Sequence, residues 1–140
     1  MGYWLFKSEP GAWSWDQQKA RGKKGEPWNG VRNHQAANNM KAMKKGDRGF
    51  FYHSVMEKRI VGIVEVIGEY RPDPTDETHK FGLVEVMAVG DVPRPVTLEE
   101  IKANPKLAGM ALLRQSRLSV QPVTAAEWKE LCRMGGVNTD

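Results

Sequence analysis

The feature that most limits what this chain can become is the run Arg59–Gly68, where Ile60, Val61, Ile63, Val64, Val66 and Ile67 are all β-branched. Side chains of that shape lose rotamer freedom in a helix and pack well on a pleated surface, so the run is predicted as a strand. Tyr3–Lys7, ended by Ser8-Glu9-Pro10-Gly11, reads the same way, as do Arg48–Ser54, Phe81–Val89 and Leu112–Val120. Val55–Lys58 is short enough to be the hairpin loop between two of these runs. Short helices are interleaved with them. Ser14 with Gln17, Thr97 with Glu100 and Thr124 with Glu127 have the capping-box spacing, predicting helices that reach Arg21, Ala103 and Met134. Asn33–Met43 is a further helix with Gly46 as its closing glycine, and Asn104-Pro105 stops the Thr97 helix. Gly22–Pro27 and Arg71–Lys80 read as loops.

Strands and helices in this order do not strictly alternate. A curved mixed sheet or small barrel with helices at its edges accommodates them. A dinucleotide-binding fold is disfavoured, because the chain has neither its glycine-rich strand-to-helix loop nor a phosphate loop ending in Gly-Lys-Ser/Thr. At 140 residues one domain is expected, over 1–136, with 137–140 as a disordered tail. No apolar run is long enough to span a bilayer, and the N-terminus lacks a basic-then-apolar leader. The single cysteine, Cys132, cannot close an internal disulfide, and it reads as a buried structural thiol. These features fit a reducing, cytoplasmic setting, or a nucleoid or nuclear one if DNA is the target.

Charge is unevenly placed. Gln17–Arg48 carries nine Lys/Arg against two acids, whereas Glu65–Ile101 carries three against nine. The basic stretch surrounds Trp28-Asn29-Gly30-Val31-Arg32-Asn33-His34-Gln35-Ala36, which combines an aromatic, a glycine turn, an arginine and amides. That mixture is poor for a core and suited to gripping a flat polar ring. The basic surroundings would help attract a polyanion.

Five motifs occur in order: Lys7-Ser8-Glu9-Pro10, Trp28-x-Gly30-Val31-Arg32-Asn33-x-Gln35-Ala36-x-Asn38, Lys45-Gly46-Asp47, Phe51-Tyr52-His53-Ser54, and Arg117-Leu118-Ser119-Val120-Gln121-Pro122-Val123. Together they resemble the EVE domain family, from about Gly2 to Leu131. The resemblance implies an α+β fold of the PUA-like type, a mixed-sheet pseudo-barrel with short peripheral helices. It also implies kinship with YTH domains, which read methylated adenine in RNA. The function it implies is recognition of a modified base, notably a modified cytosine, in DNA or RNA.

On that reading Trp28 is the stacking wall, since base–aromatic stacking contributes roughly 1–3 kcal/mol. Its competing role is to plug a core edge. Trp13 is a candidate second wall, whereas Trp4 and Trp128 read as packing. Asn29 and Asn33 offer amide contacts to a base edge, although Asn33 is equally placed to cap the following helix. Ser8 and Ser54 are further base contacts, and His53 a weaker one. Strand alternation puts Phe51 and His53 on one face and Tyr52 and Ser54 on the other. Lys7, Arg32, Arg114, Gln115 and Arg117 are assigned to phosphate and backbone contacts, with turn formation and solvation as their ordinary alternatives.

No catalysis is expected. Ser54 and His53 are sequence neighbours and point apart, and no Gly-x-Ser-x-Gly elbow is present. His34, His53 and His79 have no metal-ligand spacing, and Asp76-Glu77 reads as a solvated loop pair. No metal or cofactor is expected. The expected partner is nucleic acid with a modified, flipped or single-stranded base, bound by a monomer without membrane contact. Two other classes compete: a sensor of a free nucleoside-like molecule, and a protein-interaction adaptor using loop Arg71–Lys80.

Overall fold

The computed structural model describes residues 1–138. Its frame is a six-stranded sheet made of β1 (Tyr3–Ser8), β2 (Glu26–Pro27), β3 (Arg48–His53), β4 (Arg59–Pro72), β5 (Gly82–Thr97) and β6 (Val120–Val123). Across the sheet the order is β2-β5-β4-β3-β1-β6. β1 and β3 are parallel, and every other neighbouring pair is antiparallel. Five α-helices surround the sheet: α1 (Trp15–Ala20), α2 (His34–Lys41), α3 (Leu98–Ala103), α4 (Ala111–Arg114) and α5 (Ala125–Gly135). The fold is α+β and PUA-like. No described helix is long and apolar enough to cross a membrane.

Alternation along the strands feeds two cores, one on each sheet face. Trp4 and Phe6 of β1, Phe51 of β3 and Val61, Val64 and Val66 of β4 join Trp15, Trp28, Ala36 and Met40 in the first. Leu5, Phe50, Tyr52, Ile60 and Ile63 join Ile101, Leu112, Trp128, Leu131 and Cys132 in the second. Trp4 and Trp128 are therefore packing residues, and Cys132 is fully buried. All three anticipated capping boxes form, at Ser14, Thr97 and Thr124.

Several expectations need correction. Leu112–Val120 is not a strand: Leu112 lies on α4, and the last strand starts only at Val120. Pro122 is tolerated there because β6 pairs with β1 alone, so its missing N–H costs no ladder bond on the outer edge. Glu26–Pro27, expected in a loop, forms the short β2 against β5. β5 runs eight residues beyond the predicted Val89 and includes Pro93 and Pro95. The β4–β5 register slips between Ile60 and Gly62, and that irregularity admits both prolines. Helix α2 stops at Lys41, before Gly46, which instead makes the next turn at φ 93° and donates its N–H to Val66. Val137, assigned to the tail, packs on the second core and donates its N–H to Cys132 at 2.8 Å. Thr139 and Asp140 lie outside the described residues.

Gly62 fixes helix α1. A Cβ there would overlap the Trp15 ring, so glycine lets that indole lie directly on β4. The Trp15 indole N–H then reaches Asp91 at 2.7 Å, while the Trp15 backbone N–H donates to His53 Nε2 at 3.0 Å.

A candidate base-binding pocket

An open pocket of about 430 Å³ lies beside the first core, between β1, the Trp13 turn and the segment after β2. Lys7, Ser8, Trp13, Trp28, Asn29 and Arg32, six of the residues singled out in the sequence, line it. Ser119, Glu26 and Pro27 line it too and were not anticipated.

Trp28 is placed by β2, which the sequence alone does not announce. Directly after β2 it extends that pairing, donating its backbone N–H to Val84 at 2.7 Å. The residue is 9% exposed, and its ring meets Phe6 and Phe51 at steep angles, 64° and 88°, with centroids 5.2 and 5.7 Å away. No aromatic ring of the described protein lies parallel to it. Trp4, Trp13 and Trp15 each donate their indole N–H to a side chain, whereas the indole N–H groups of Trp28 and Trp128 have no partner within the described residues. A nearly buried indole usually finds one. Trp28 thus plugs the core edge and lines the pocket at once.

Trp13 is held by a buried amide. Gln18, with no exposed surface, accepts the Trp13 indole N–H at 2.9 Å and donates to the Val86 carbonyl at 3.2 Å. The Ser8 hydroxyl donates to the Trp13 carbonyl at 2.5 Å, so only its lone pairs face a ligand. The Asn29 side chain is exposed and makes no hydrogen bond with the described protein.

Asp73 sets the course of Asn29–Arg32. Its carboxylate accepts the Gly30 N–H at 2.9 Å, an Arg32 N–H at 3.1 Å, and the Thr75 N–H and hydroxyl at 2.7 and 2.6 Å. Burial alone would push this carboxyl up. The donors outweigh it, and the pKa lies below the ordinary aspartate value. Gly30 sits at φ 80°, which favours glycine in this turn. In the sequence Asp73 reads only as part of a polar loop. The Asp-x-Thr spacing of an Asx turn, at Asp73 and Thr75, was the available signal. Asp76 needs correction for the same reason. It is buried, not solvated, and accepts from the N–H groups of Thr78, Lys80 and Phe81 and from the Thr78 hydroxyl. Loop 73–81 is therefore scaffold for the pocket.

The remaining predicted residues fall elsewhere. Asn33 caps α2, accepting the Ala36 N–H at 2.9 Å, and does not line the pocket. His53 is buried, with Nε2 on the Trp15 N–H and Nδ1 3.0 Å from Glu57, and borders a different depression. Ser54 and Arg117 line a neighbouring groove. Arg114 and Gln115 line neither. The Arg32 guanidinium is spent within the protein on Asp73, the Val31 carbonyl and the Thr75 hydroxyl. The basic stretch is also less free than its composition implied: Lys19, Arg21, Arg32 and Arg48 pair with Asp91, Glu26, Asp73 and Glu65.

The family model for the EVE domain matches residues 2–134. The chain belongs to the EVE domain family. Mouse thymocyte nuclear protein 1 is 35% identical over an alignment covering 90% of this chain and 70% of the mouse protein. A solved protein from Agrobacterium tumefaciens is 56% identical, with a TM-score of 0.97 over 100% of this chain and 97% of that one. Human THYN1, solved in complex with 5-methylcytosine-containing DNA, is 32% identical with a TM-score of 0.89, covering 99% of both chains. A Zygosaccharomyces rouxii YTH domain shares the fold alone, at 17% identity and a TM-score of 0.57 over 98% of this chain and 88% of that one.

Proposed function

We propose that this domain is a binding module, not an enzyme, and that it holds a modified nucleobase of DNA or RNA in the pocket beside Trp28. The observation that carries the reading is Trp28 itself: an indole met at steep angles by Phe6 and Phe51, with no parallel ring on it and an unpartnered N–H, lining a pocket sized for a small ligand. Stacking on Trp28 supplies affinity, Trp13 closes the site, and the Asn29 amide and Trp28 N–H contact the edge of the base. The human relative solved with 5-methylcytosine DNA favours a modified cytosine. A base inside a duplex cannot reach the indole, so the bound base is flipped or single-stranded. His53 is committed to Trp15 and Glu57, which argues against a role as a general base for Ser54.

The test is fluorescence anisotropy with matched single-stranded DNA and RNA oligonucleotides that differ in one base, unmodified or methylated. A preference of tenfold or more for 5-methylcytosine over cytosine supports the reading. Equal affinity across the panel removes the modified-base part of it, and no binding to any oligonucleotide removes the whole.

A further inference from the structure

A second groove, of about 460 Å³, opens next to the pocket and shares Lys7, Glu9 and Ser119 with it. Three cations line it, Lys7, Lys58 and Arg117, against one acid, Glu9 on the shared rim. The side chains of Lys58 and Arg117 have no ion pair or hydrogen bond among the described residues. Tyr52 also lines the groove. It is 2% exposed, yet its hydroxyl has no partner within the described protein. Burial pushes the Tyr52 pKa up to about 12, so this hydroxyl stays a donor.

Both banks are fixed from beneath. On one, Lys7 Nζ donates to the Ser116 carbonyl at 2.5 Å and the Lys7 N–H to the Ser119 carbonyl at 2.8 Å. Fully buried Gln121 donates to the Leu118 carbonyl at 2.8 Å, so the loop bearing Arg117 is tied at three points. On the other bank, hairpin 54–58 holds Val55 at φ 69° and Lys58 at φ 49°. Positive φ is unfavourable for both residues, most of all for β-branched Val55. The Ser54 N–H on the Ser8 carbonyl and the Leu98 N–H on the Lys58 carbonyl hold the hairpin ends in that shape. Two unspent cations, a donor hydroxyl and a rigid frame, continuous with the pocket, are the chemistry of a phosphate site.

We propose that this groove is a second nucleotide subsite, which takes the phosphate and sugar next to the base held against Trp28. Arg117 and Lys58 meet the phosphate, the Tyr52 hydroxyl donates to it or to the sugar, and Glu9 repels the phosphate from the pocket mouth. The inference rests on the reading of the Trp28 pocket as a base site, and it makes the ligand a polymer and not a free nucleoside.

The experiment compares a short single-stranded DNA carrying one 5-methylcytosine with free 5-methyldeoxycytidine, for the wild type, Lys58→Gln/Arg117→Gln and Tyr52→Phe. The double variant is expected to bind the oligonucleotide at least tenfold more weakly, with the salt slope of log K reduced by about 1.4, or about 0.7 per lost phosphate contact on a single strand. Its affinity for the nucleoside stays within twofold of wild type. Tyr52→Phe weakens the oligonucleotide by about threefold to tenfold with the slope unchanged. An unchanged oligonucleotide affinity and slope in the double variant overturns the inference, as does a parallel loss of nucleoside binding. Wild-type protein that binds the nucleoside as tightly as the oligonucleotide overturns the subsite alone. Wild-type protein that binds neither of these nor the matched RNA oligonucleotide overturns the base-site reading as well.

Discussion

Trp28 and Trp128 are buried to nearly the same degree, 9% and 8% exposed, and neither indole N–H has a partner in the described protein. Their neighbours differ. Trp128 lies almost parallel to Tyr3 and Phe50, at 21° and 26° with centroids 4.6 and 4.1 Å away, so the protein itself stacks on it. Around Trp28 the rings of Phe6 and Phe51 stand edge to face. The first arrangement covers the indole with parallel rings; the second puts no parallel ring on it, the place that the proposed function gives to a ligand. Burial therefore does not separate the two tryptophans, whereas the angles of the surrounding rings do.

The largest expected effect breaks the comparison from the packing side. Trp128→Ala removes a large side chain from the second core and is predicted to destabilise the fold by about 3–5 kcal/mol. Protein that remains folded keeps its oligonucleotide affinity. Trp28→Phe is the counterpart: it keeps an aromatic plug, so chemical denaturation shows a smaller loss of stability, while base-selective binding falls at least tenfold. The comparison collapses if the two variants exchange these outcomes.

An intermediate effect is expected from Asp73→Asn, which weakens the anchor of Asn29–Arg32 without touching the ligand. A loss of about 1–3 kcal/mol of stability is predicted, as for a disturbed buried hydrogen-bonded group. Affinity falls severalfold as the turn at Gly30 loosens. Unaltered binding at unaltered stability would remove Asp73 from the account.

The smallest effect is in pH. The folded Asp73 pKa is depressed, so its contribution is present above the ordinary carboxylate value of about 3.9 and is lost as pH falls through the folded value. The gap in melting temperature between wild type and Asp73→Asn is predicted to be constant from pH 7 to about pH 5 and to shrink below about pH 4. A gap that widens in acid contradicts the assignment.

The sequence made the frame and the pocket's aromatic residues legible, because both announce themselves locally. β-branched runs mark β4, capping boxes mark α1, α3 and α5, and Trp28-Asn29-Gly30 marks a turn that no core would need. What was not legible depends on contacts distant in sequence. β2 is two residues long and exists only because β5 pairs with it. Asp73 lies 43 positions from Gly30, and Gln18 reaches Val86 from 68 positions away, so neither announces its role locally. Ser54 was grouped with Ser8 by motif, yet strand alternation turns it toward the second groove. The unspent cations were the least visible feature. Composition points to Gln17–Arg48, but ion pairs occupy four of its cations, three with the acidic middle and Arg21 with Glu26, and Lys58 and Arg117 lie outside that stretch.

The most direct test labels all five tryptophans with 5-fluorotryptophan and assigns each ¹⁹F resonance by single Trp→Phe variants. Titration with a single-stranded oligonucleotide carrying 5-methylcytosine is predicted to shift Trp28 most, Trp13 less and Trp128 not at all. A shifted Trp128 with an unmoved Trp28 would contradict the account.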